Sequence, residues 1–256
     1  MFGVIPKRMW NRLIPADENN LVPMVTNLFV LRAHGKVMVF DIGIGDTLSD
    51  MEKKIYGIEG NSMLESGLQG LGLSVEDIDV LILTHLHTDH AGGAVRKEGD
   101  AFVPRFPNAK CFISRQEWAD ALNPNERTGA VYIPARYQAL EEAGQVELID
   151  PDVELFPGIR AVHTGGHTDG HFGLQIESQG NKLWYYADIF CTSVHMAVPF
   201  VPATDLYPLD TMEAKRRALP EIVNDSVIVA FDHDVNMPFG RVTQEGRKVK
   251  VEAFDG

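Results

Sequence analysis

Residues 81–93 read LILTHLHTDHAGG, an apolar run that ends in three histidines and an aspartate. Alternate residues of an extended segment project to the same side, so His85, His87 and Asp89 can converge while His90 follows at the bend. Imidazole nitrogen and carboxylate oxygen are the donors that zinc and neighbouring divalent ions prefer. A polar, solvated loop is the alternative, but histidine is a poor choice for a loop that needs only solubility. The segment therefore predicts a metal site.

Further candidate ligands follow three later strand-like runs. The candidates are His163, His167 and His171 in GIRAVHTGGHTDGH at residues 158–171, Asp188 in LWYYADIF at residues 183–190, and His233 in VIVAFDHD at residues 227–234. Taken singly each is weak, because a loop histidine is often satisfied by hydrogen bonds and an aspartate can simply form a turn. Together they fit strands that end at one edge of a sandwich, where their loops can complete the site.

Strand-like and helix-like segments alternate along the chain, which indicates a mixed α/β fold. Two runs joined by a turn at Gly35 predict a β-hairpin at a sheet edge. The predicted strands cover residues 25–31, 37–42, 80–83, 111–113, 146–149, 158–162, 172–176, 183–186 and 227–231, and the predicted helices cover 134–143 and 211–223. Ser74 with Asp77, and Ser114 with Glu117, have the order of helix capping boxes. No linker or low-complexity tract divides the chain, so we expect one domain over residues 1–256.

The composition is that of a folded globular protein and disfavours several partners. The 256 residues are 45% hydrophobic and carry 23 Lys plus Arg against 36 Asp plus Glu, a net charge of −13. An acidic surface repels nucleic acid and anionic membranes. The first 20 residues lack the apolar core of a signal peptide, and no run approaches the roughly 18 apolar residues of a membrane span. Two cysteines are too few for a disulfide scaffold, so we expect a cytoplasmic protein.

The order of these motifs resembles that of the metallo-β-lactamase fold superfamily, from FDIGIGD at residues 40–46 to FDHD at residues 231–234. The resemblance implies a four-layer αβ/βα sandwich with a dinuclear metal site. The ligands that it implies by motif are His85, His87 and His167 for the first ion, Asp89, His90 and His233 for the second, and Asp188 as the bridge. Asp41 matches a buried aspartate that orients the ligand loop, whereas His163 and His171 lie outside the ligand pattern.

Such a site implies hydrolysis by a hydroxide held between two divalent ions per chain. Zinc is the expected metal, and manganese, iron and cobalt are alternatives because sets of histidine and carboxylate ligands accept all of them. Asp89 is the candidate catalytic residue that passes a proton from the attacking hydroxide to the leaving alkoxide. The sequence shows no serine nucleophile elbow, phosphate-binding loop or dinucleotide motif that would indicate other chemistry.

Within the superfamily the sequence favours a small ester as the substrate. His87 stands where oxygen-reducing relatives carry glutamate, and a bridging Asp188 argues against β-lactamase activity. Too few residues follow His233 for the extra domain of glyoxalase II enzymes, and the acidic charge opposes nucleases. The remaining groups are lactonase-like members, including N-acyl-homoserine lactonases, and methyl-parathion-hydrolase-like enzymes that cleave phosphotriesters or aryl esters. A non-enzymatic ligand sensor is an alternative, but it has no evident need for seven retained ligands.

Substrate-contacting residues are sought in the irregular, apolar segments. The N-terminal lead, about residues 1–24, and residues 192–208 suit three uses: covering the active site for an apolar ester or lactone, packing in the core, or forming a homodimer interface. Trp10, Cys191 and His195 are the candidates for substrate contact. Cys191 occupies the position where acyl-homoserine lactonases commonly place a tyrosine.

Overall fold

The computed structural model describes residues 1–246 and 248–254. The chain forms two compact units. The middle unit is Leu28–Asp150, and the terminal unit combines Met1–Asn27 with Pro151–Gly256. Each unit has its own sheet and core, and a single domain over residues 1–256 stays a prediction.

Fourteen strands and seven α-helices lie in the described residues. The strands are β1 Phe29–Ala33, β2 Lys36–Phe40, β3 Val80–Leu83, β4 Val95–Glu98, β5 Ala101–Pro104, β6 Lys110–Ser114, β7 Val146–Ile149, β8 Val153–Phe156, β9 Ile159–His163, β10 Phe172–Ser178, β11 Asn181–Tyr185, β12 Ile228–Ala230, β13 Phe239–Glu245 and β14 Lys248–Ala253. The helices are α1 Lys7–Trp10, α2 Asp50–Tyr56, α3 Leu64–Gly70, α4 Thr88–Ala91, α5 Arg115–Leu122, α6 Pro134–Glu142 and α7 Pro208–Asn224.

The middle unit is built on a five-stranded sheet of order β1-β2-β3-β6-β7, with a separate β4-β5 hairpin. β1 and β2 are antiparallel, as expected for the predicted hairpin, whereas β2, β3, β6 and β7 run parallel. All four residues of β3 are buried, which is typical of a central parallel strand. Phe40 pairs with Ile82, so the residues that follow β2 and β3 emerge side by side at one edge.

The terminal unit contains a seven-stranded sheet of order β14-β13-β12-β11-β10-β9-β8. Only the β11–β12 pair is parallel among the strand pairs of this sheet that the structure describes. Residues of α7 such as Ile222 pack with Trp184, Val229 and Phe231 in its core. Because β11 and β12 are parallel neighbours, the segments carrying Asp188 and His233 leave the sheet at the same edge.

Most predicted elements are found, with bounds that differ by a few residues. Sequence reasoning missed α1, α2, α3 and α4 and the β4, β5, β8, β13 and β14 strands. The capping box of Ser74 and Asp77 is confirmed. The one predicted at Ser114 is wrong, because its side chain makes no cap hydrogen bond and Glu117 is used elsewhere. No helix in the described part of the chain is long and apolar enough to cross a membrane.

The segment after the histidines is packed against the end of β2 with no room for side chains. A Cβ atom added to Gly92 would clash with the Ile44 carbonyl group, and one added to Gly93 would clash with the Ile42 carbonyl group. Because they carry no Cβ atom, Gly92 and Gly93 allow the backbone after the histidines to lie directly against residues 42–44.

We expect Gly92→Ala to lower the free energy of unfolding by about 1–3 kcal/mol, because the methyl group overpacks a rigid backbone contact. Gly67→Ala is the matched control, since Gly67 lies within α3 and an added Cβ meets nothing within 4 Å. That control should be neutral or stabilise by up to about 1 kcal/mol. Urea denaturation measures both, and equal effects would contradict the steric account.

Candidate metal centre

Three buried histidines of the middle unit lie together at the end of β3. The ring centroids of His85 and His87 are 4.7 Å apart, and those of His85 and His90 are 4.0 Å apart. All three side chains are buried, and Asp89 beside them is half-buried. An oxygen of Asp89 lies 4.0 Å from Nε2 of His90. The structure therefore brings together the four residues of the predicted loop.

Asp41 fixes the orientation of this loop. Its Oδ1 accepts the backbone N–H of Thr84 at 2.8 Å, and its Oδ2 accepts the Thr84 hydroxyl at 2.8 Å and Nδ1 of His90 at 2.9 Å. The residue has a left-handed backbone with φ of 42°, a conformation that aspartate tolerates better than most residues. Asp41 thus joins the segment after β2 to Thr84 and to His90.

These hydrogen bonds also determine which nitrogen of each ring can bind a metal. A carboxylate only accepts, so Nδ1 of His90 must donate to Asp41. Thr84 gives its hydroxyl proton to Asp41, so Nδ1 of His85, 3.1 Å away, must donate to the Thr84 oxygen. In a neutral imidazole the other nitrogen then keeps a free electron pair. His85 and His90 both present Nε2 as a ligand atom.

Two side chains that sequence reasoning missed hold Leu86 between the first two histidines. Glu117 Oε1 accepts the Leu86 N–H at 2.8 Å and the Tyr132 hydroxyl at 2.7 Å, and the Tyr137 hydroxyl donates to the Leu86 carbonyl oxygen. Burial raises the pKa of Tyr137 well above its usual range, so it stays protonated as the donor. The sequence did single out Glu117, but as part of a predicted helix capping box with Ser114 rather than as a partner of Leu86.

The start of α4 is held by a buried arginine. Arg136 Nη1 donates to the Thr88 hydroxyl at 3.1 Å, and that hydroxyl donates to the Val131 carbonyl oxygen at 3.0 Å. Burial lowers the pKa of Arg136, but guanidinium remains charged at ordinary pH. Thr88 lies between His87 and Asp89, so Arg136 supports the ligand loop from one side.

In the terminal unit, Asp188 lies between two histidines. Its Oδ2 is 2.9 Å from Nε2 of His167, and its Oδ1 is 3.2 Å from Nε2 of His233. Asp188 follows β11 in a short 3-10 helix, and the preceding Ala187 has φ of 40°. One carboxylate shared between two imidazoles is the arrangement that a bridging ligand needs.

His167 is held by a chain of buried polar side chains. Its Nδ1 lies 2.8 Å from Asp205 Oδ1, and the other oxygen of Asp205 accepts the Thr211 hydroxyl at the start of α7. Burial lowers the pKa of His167, but the Asp188 and Asp205 carboxylates raise it by more, to about 10. Asp205 was not predicted, because an aspartate in an irregular segment carries no distinct sequence signal. The pocket around His167 strongly favours positive charge.

Residues 25–27, at the end of the N-terminal lead, contact the last predicted ligand and its neighbours. Nδ1 of His233 donates to the Val25 carbonyl oxygen at 2.8 Å, which leaves Nε2 as its ligand atom. Asn27 donates its backbone N–H to Asp232 and its side-chain amide to Phe231 and Asp234. The lead therefore positions the loop that carries His233.

Two further histidines of the same segment, His163 and His171, make hydrogen-bond contacts with neighbouring residues of the same segment. His163 is exposed and lies 2.8 Å from the Asp169 carbonyl oxygen through its Nε2 atom. His171 is buried, and its Nδ1 lies 2.6 Å from the Thr164 hydroxyl.

Of the three candidates for substrate contact, Cys191 and His195 are buried inside the terminal unit and Trp10 is half-buried. Phe2 stacks between Trp10 at 4.7 Å and His195 at 5.1 Å. Nε2 of His195 donates to the Met1 carbonyl oxygen and Nδ1 accepts from Thr192, so both ring nitrogens are engaged. His195 and Cys191 have no exposed surface in this structure. Their contact with a substrate stays a prediction that these positions do not favour.

Burial, together with a neighbouring buried lysine, lowers the pKa of His195. Lys215 Nζ donates to the carbonyl oxygens of His195 at 2.7 Å and Phe200 at 2.5 Å. Burial, with a smaller effect from the Lys215 ammonium, lowers the pKa of His195 to about 3. Burial also lowers the pKa of Lys215, to about 8. This pair anchors the 193–200 segment to α7.

The donor sets of both units fit divalent metal ions. Ligand atoms of Asp41, His85 and His90 lie within 4.8 Å of one another, and so do those of Asp188, Asp232 and His233. In the first set Asp41 accepts a hydrogen bond from His90, which leaves the two imidazoles as the nitrogen donors of that set. Buried neutral imidazoles with fixed Nδ1 protons beside carboxylates are the donor chemistry of zinc and similar ions.

A sequence profile of the Metallo-beta-lactamase superfamily matches residues 21–233. The chain belongs to the metallo-β-lactamase superfamily. The resemblance found in the motifs and the predicted metallo-β-lactamase fold class, mixed α/β with several sheets, are therefore confirmed. In this fold the His/Asp clusters imply divalent metal ions.

Relatives of known name are N-acyl homoserine lactonases. One from a Bacillus species is 28% identical over 176 residues, 68% of this chain and 62% of that protein. The lactonase AttM from Azorhizobium caulinodans is 25% identical over 177 residues, 65% of this chain and 63% of that protein. The matched part of the chain thus spans less than two thirds of the length of these relatives.

Solved structures extend the likeness to the whole chain. A probable metal-dependent hydrolase from Staphylococcus aureus has a TM-score of 0.92 and 29% identity, covering 100% of this chain and 91% of that one. AidC, a dizinc quorum-quenching lactonase, has a TM-score of 0.76 and 23% identity, covering 91% of this chain and 80% of that one. At that identity the second likeness shows the fold alone.

We expect Asp41→Asn to weaken metal binding about 10–100-fold, because the amide keeps one acceptor oxygen where the carboxylate has two, so the Thr84 N–H or Nδ1 of His90 faces an NH2 donor instead. Competition with a chromogenic chelator measures the affinity. Asp79→Asn is the control, since that carboxylate accepts the Val37 N–H at 2.8 Å, away from the histidines. Equal metal affinity in the two variants would refute an orienting role for Asp41.

Proposed function

We propose that this chain is a metal-dependent hydrolase that holds two divalent ions and opens a lactone or cleaves a carboxylic ester. The observation that carries the proposal is that hydrogen bonds to Nδ1 leave the same ring nitrogen, Nε2, as the acceptor on three of the proposed histidine ligands. His85, His90 and His233 each present Nε2 because a fixed acceptor engages Nδ1, and Asp188 joins two imidazoles in the terminal unit. The N-acyl homoserine lactonases among its relatives support a lactone or a similar ester as the substrate.

We assign the ligands as the family motif orders them. His85, His87 and His167 hold the first ion, and Asp89, His90 and His233 hold the second. Asp188 bridges the two, as its position between His167 and His233 supports. We propose zinc as the metal, with manganese, iron and cobalt as the alternatives that such ligands accept.

The bound ions would supply a hydroxide nucleophile near neutral pH and polarise the carbonyl group of the ester. The protein residues orient the ligands and move the proton. Asp89 is half-buried and its carboxylate lies beside His90, so we assign it the transfer of a proton to the leaving alkoxide. Asp41, Glu117 and Asp205 act on the ligands rather than on the substrate.

The proposed substrate is a small, apolar ester or lactone. An acidic chain with a charge of −13 disfavours polyanionic substrates such as nucleic acid. We also propose a cytoplasmic location, because Cys111 and Cys191 are both free thiols and buried. A homodimer stays a prediction.

Turnover of a substrate panel tests the proposed function. We expect metal-loaded protein to hydrolyse acyl-homoserine lactones or simple lactones, and a chelator to abolish the activity because both nucleophile and electrophile depend on the ions. Aryl esters and a phosphotriester form the second arm, and a preference for them would support the methyl-parathion-hydrolase-like alternative. No turnover of any substrate by protein loaded with two ions would favour a ligand sensor.

Asp89→Asn tests the proton transfer. Because an amide cannot accept and release the proton, we expect kcat to fall about 100-fold or more while some metal is retained. Steady-state kinetics is therefore paired with metal analysis of the same sample, which separates loss of proton transfer from loss of a ligand. Full turnover by a variant that keeps both ions would eliminate Asp89 as the proton carrier.

A further inference from the structure

Asp232 is a buried carboxylate beside the last proposed ligand, and no motif assigned it a role. It immediately precedes His233 in FDHD, and its side chain is almost completely buried. Asp232 Oδ2 lies 3.4 Å from Nε2 of His233, and Asp188 Oδ1 lies 3.2 Å from the same nitrogen. Ligand atoms of the three residues fall within 4.8 Å of one another. Two carboxylates and one imidazole therefore converge on one point.

The hydrogen bond on the far side of His233 determines what can occupy that point. Nδ1 of His233 donates to the Val25 carbonyl oxygen, so the neutral ring has no proton on Nε2. Nε2 and the carboxylate oxygens of Asp188 and Asp232 are then all acceptors. A cation placed between these converging acceptors would be stabilised by all three of them.

The surrounding charges add to this stabilisation. Three aspartates are buried in the terminal unit: Asp188, Asp205 and Asp232. Burial is the largest cause of the raised pKa of the Cys191 thiol, and the three carboxylates raise that pKa further. Lys215 is the one fully buried ammonium among the described residues, and its nitrogen donates to backbone carbonyl groups. Buried carboxylates are therefore concentrated in this part of the unit.

The backbone of Asp232 is fixed by the N-terminal lead. Its carbonyl oxygen accepts the Asn27 N–H at 2.7 Å, and the Asn27 amide donates to the carbonyl oxygens on both sides, those of Phe231 at 2.9 Å and Asp234 at 3.0 Å. This clamp restricts the direction in which the Asp232 side chain can leave the chain. Asp234, two residues later, uses its carboxylate to accept from Ser193, Asn236 and Met237.

We propose that Asp232 is a further metal ligand, which binds the same ion as His233 and Asp188. The inference rests on the proposed dinuclear site and adds an oxygen donor to the ligands assigned by motif. Carboxylate oxygen suits manganese and other hard ions better than imidazole nitrogen does. The ion next to His233 therefore has an oxygen-rich set, and this position accepts manganese more readily than the position built around His85, His87 and His167.

Metal binding by the full chain tests the assignment. Wild-type protein, Asp232→Asn and Asp232→Ala are loaded with Zn²⁺ or Mn²⁺, and ions per chain and competition with a chelator are measured. Both variants should keep one Zn²⁺ ion at wild-type affinity and lose affinity for the second ion by about 100-fold, with a larger loss for Mn²⁺ than for Zn²⁺. Asp234→Asn is the control, because it removes the same charge from the same loop, and its metal affinities should stay within about 3-fold of wild type.

Each outcome separates the two proposals. A second ion that binds both Asp232 variants as tightly as wild type overturns the role of Asp232 and leaves the dinuclear site standing. Equal losses for Zn²⁺ and Mn²⁺, matched by Asp234→Asn, also overturn it, because general electrostatics would then explain the effect. A wild-type chain that binds a single ion overturns both. Thermal melting of every metal-free variant shows which losses come from unfolding.

Discussion

The candidate site depends on a simple property of neutral imidazole, which has one proton for two nitrogens. Wherever Nδ1 is held by an acceptor, Nε2 must present its electron pair. Asp41 and Thr84 impose this on His90 and His85, and the Val25 carbonyl oxygen imposes it on His233. His195 shows the opposite case, because its nitrogens are satisfied by Thr192 and Met1. The same residue type thus offers an acceptor or a donor at Nε2 according to whether its Nδ1 atom donates or accepts.

Sequence reasoning succeeded where chemistry and secondary structure coincide. The β3 strand and the histidines after it were evident because an apolar run ended in residues that loops rarely use together. Glu117, Tyr137 and Asp205 could not be found in this way, since each acts through a contact with a residue far away in sequence. Glu117 was even misassigned, because three residues after a serine a glutamate fits a helix cap equally well. A local sequence pattern predicts the strand or helix on which a residue lies. It does not predict which distant residue its side chain will contact.

The buried carboxylates suggest why the fold and the chemistry are linked. Asp188, Asp205 and Asp232 are buried, and an ionised carboxylate in a buried position lowers the free energy of unfolding unless a cation lies nearby. An ion that binds the folded chain but not the unfolded chain stabilises the folded state by mass action. The buried carboxylates therefore destabilise the metal-free chain, and a bound divalent ion would offset that destabilisation.

The lead and the last histidine also set an order for assembly. The hydrogen bond from His233 to Val25 joins residues separated by 208 positions in the chain. A chain that emerges from the ribosome from its N-terminus exposes Val25 long before residue 233 is made. The loop that carries His233 cannot be fixed until the terminal unit forms around the first 27 residues. Long-range closure of this kind is slow, so the position of His233 should be among the last features acquired during folding.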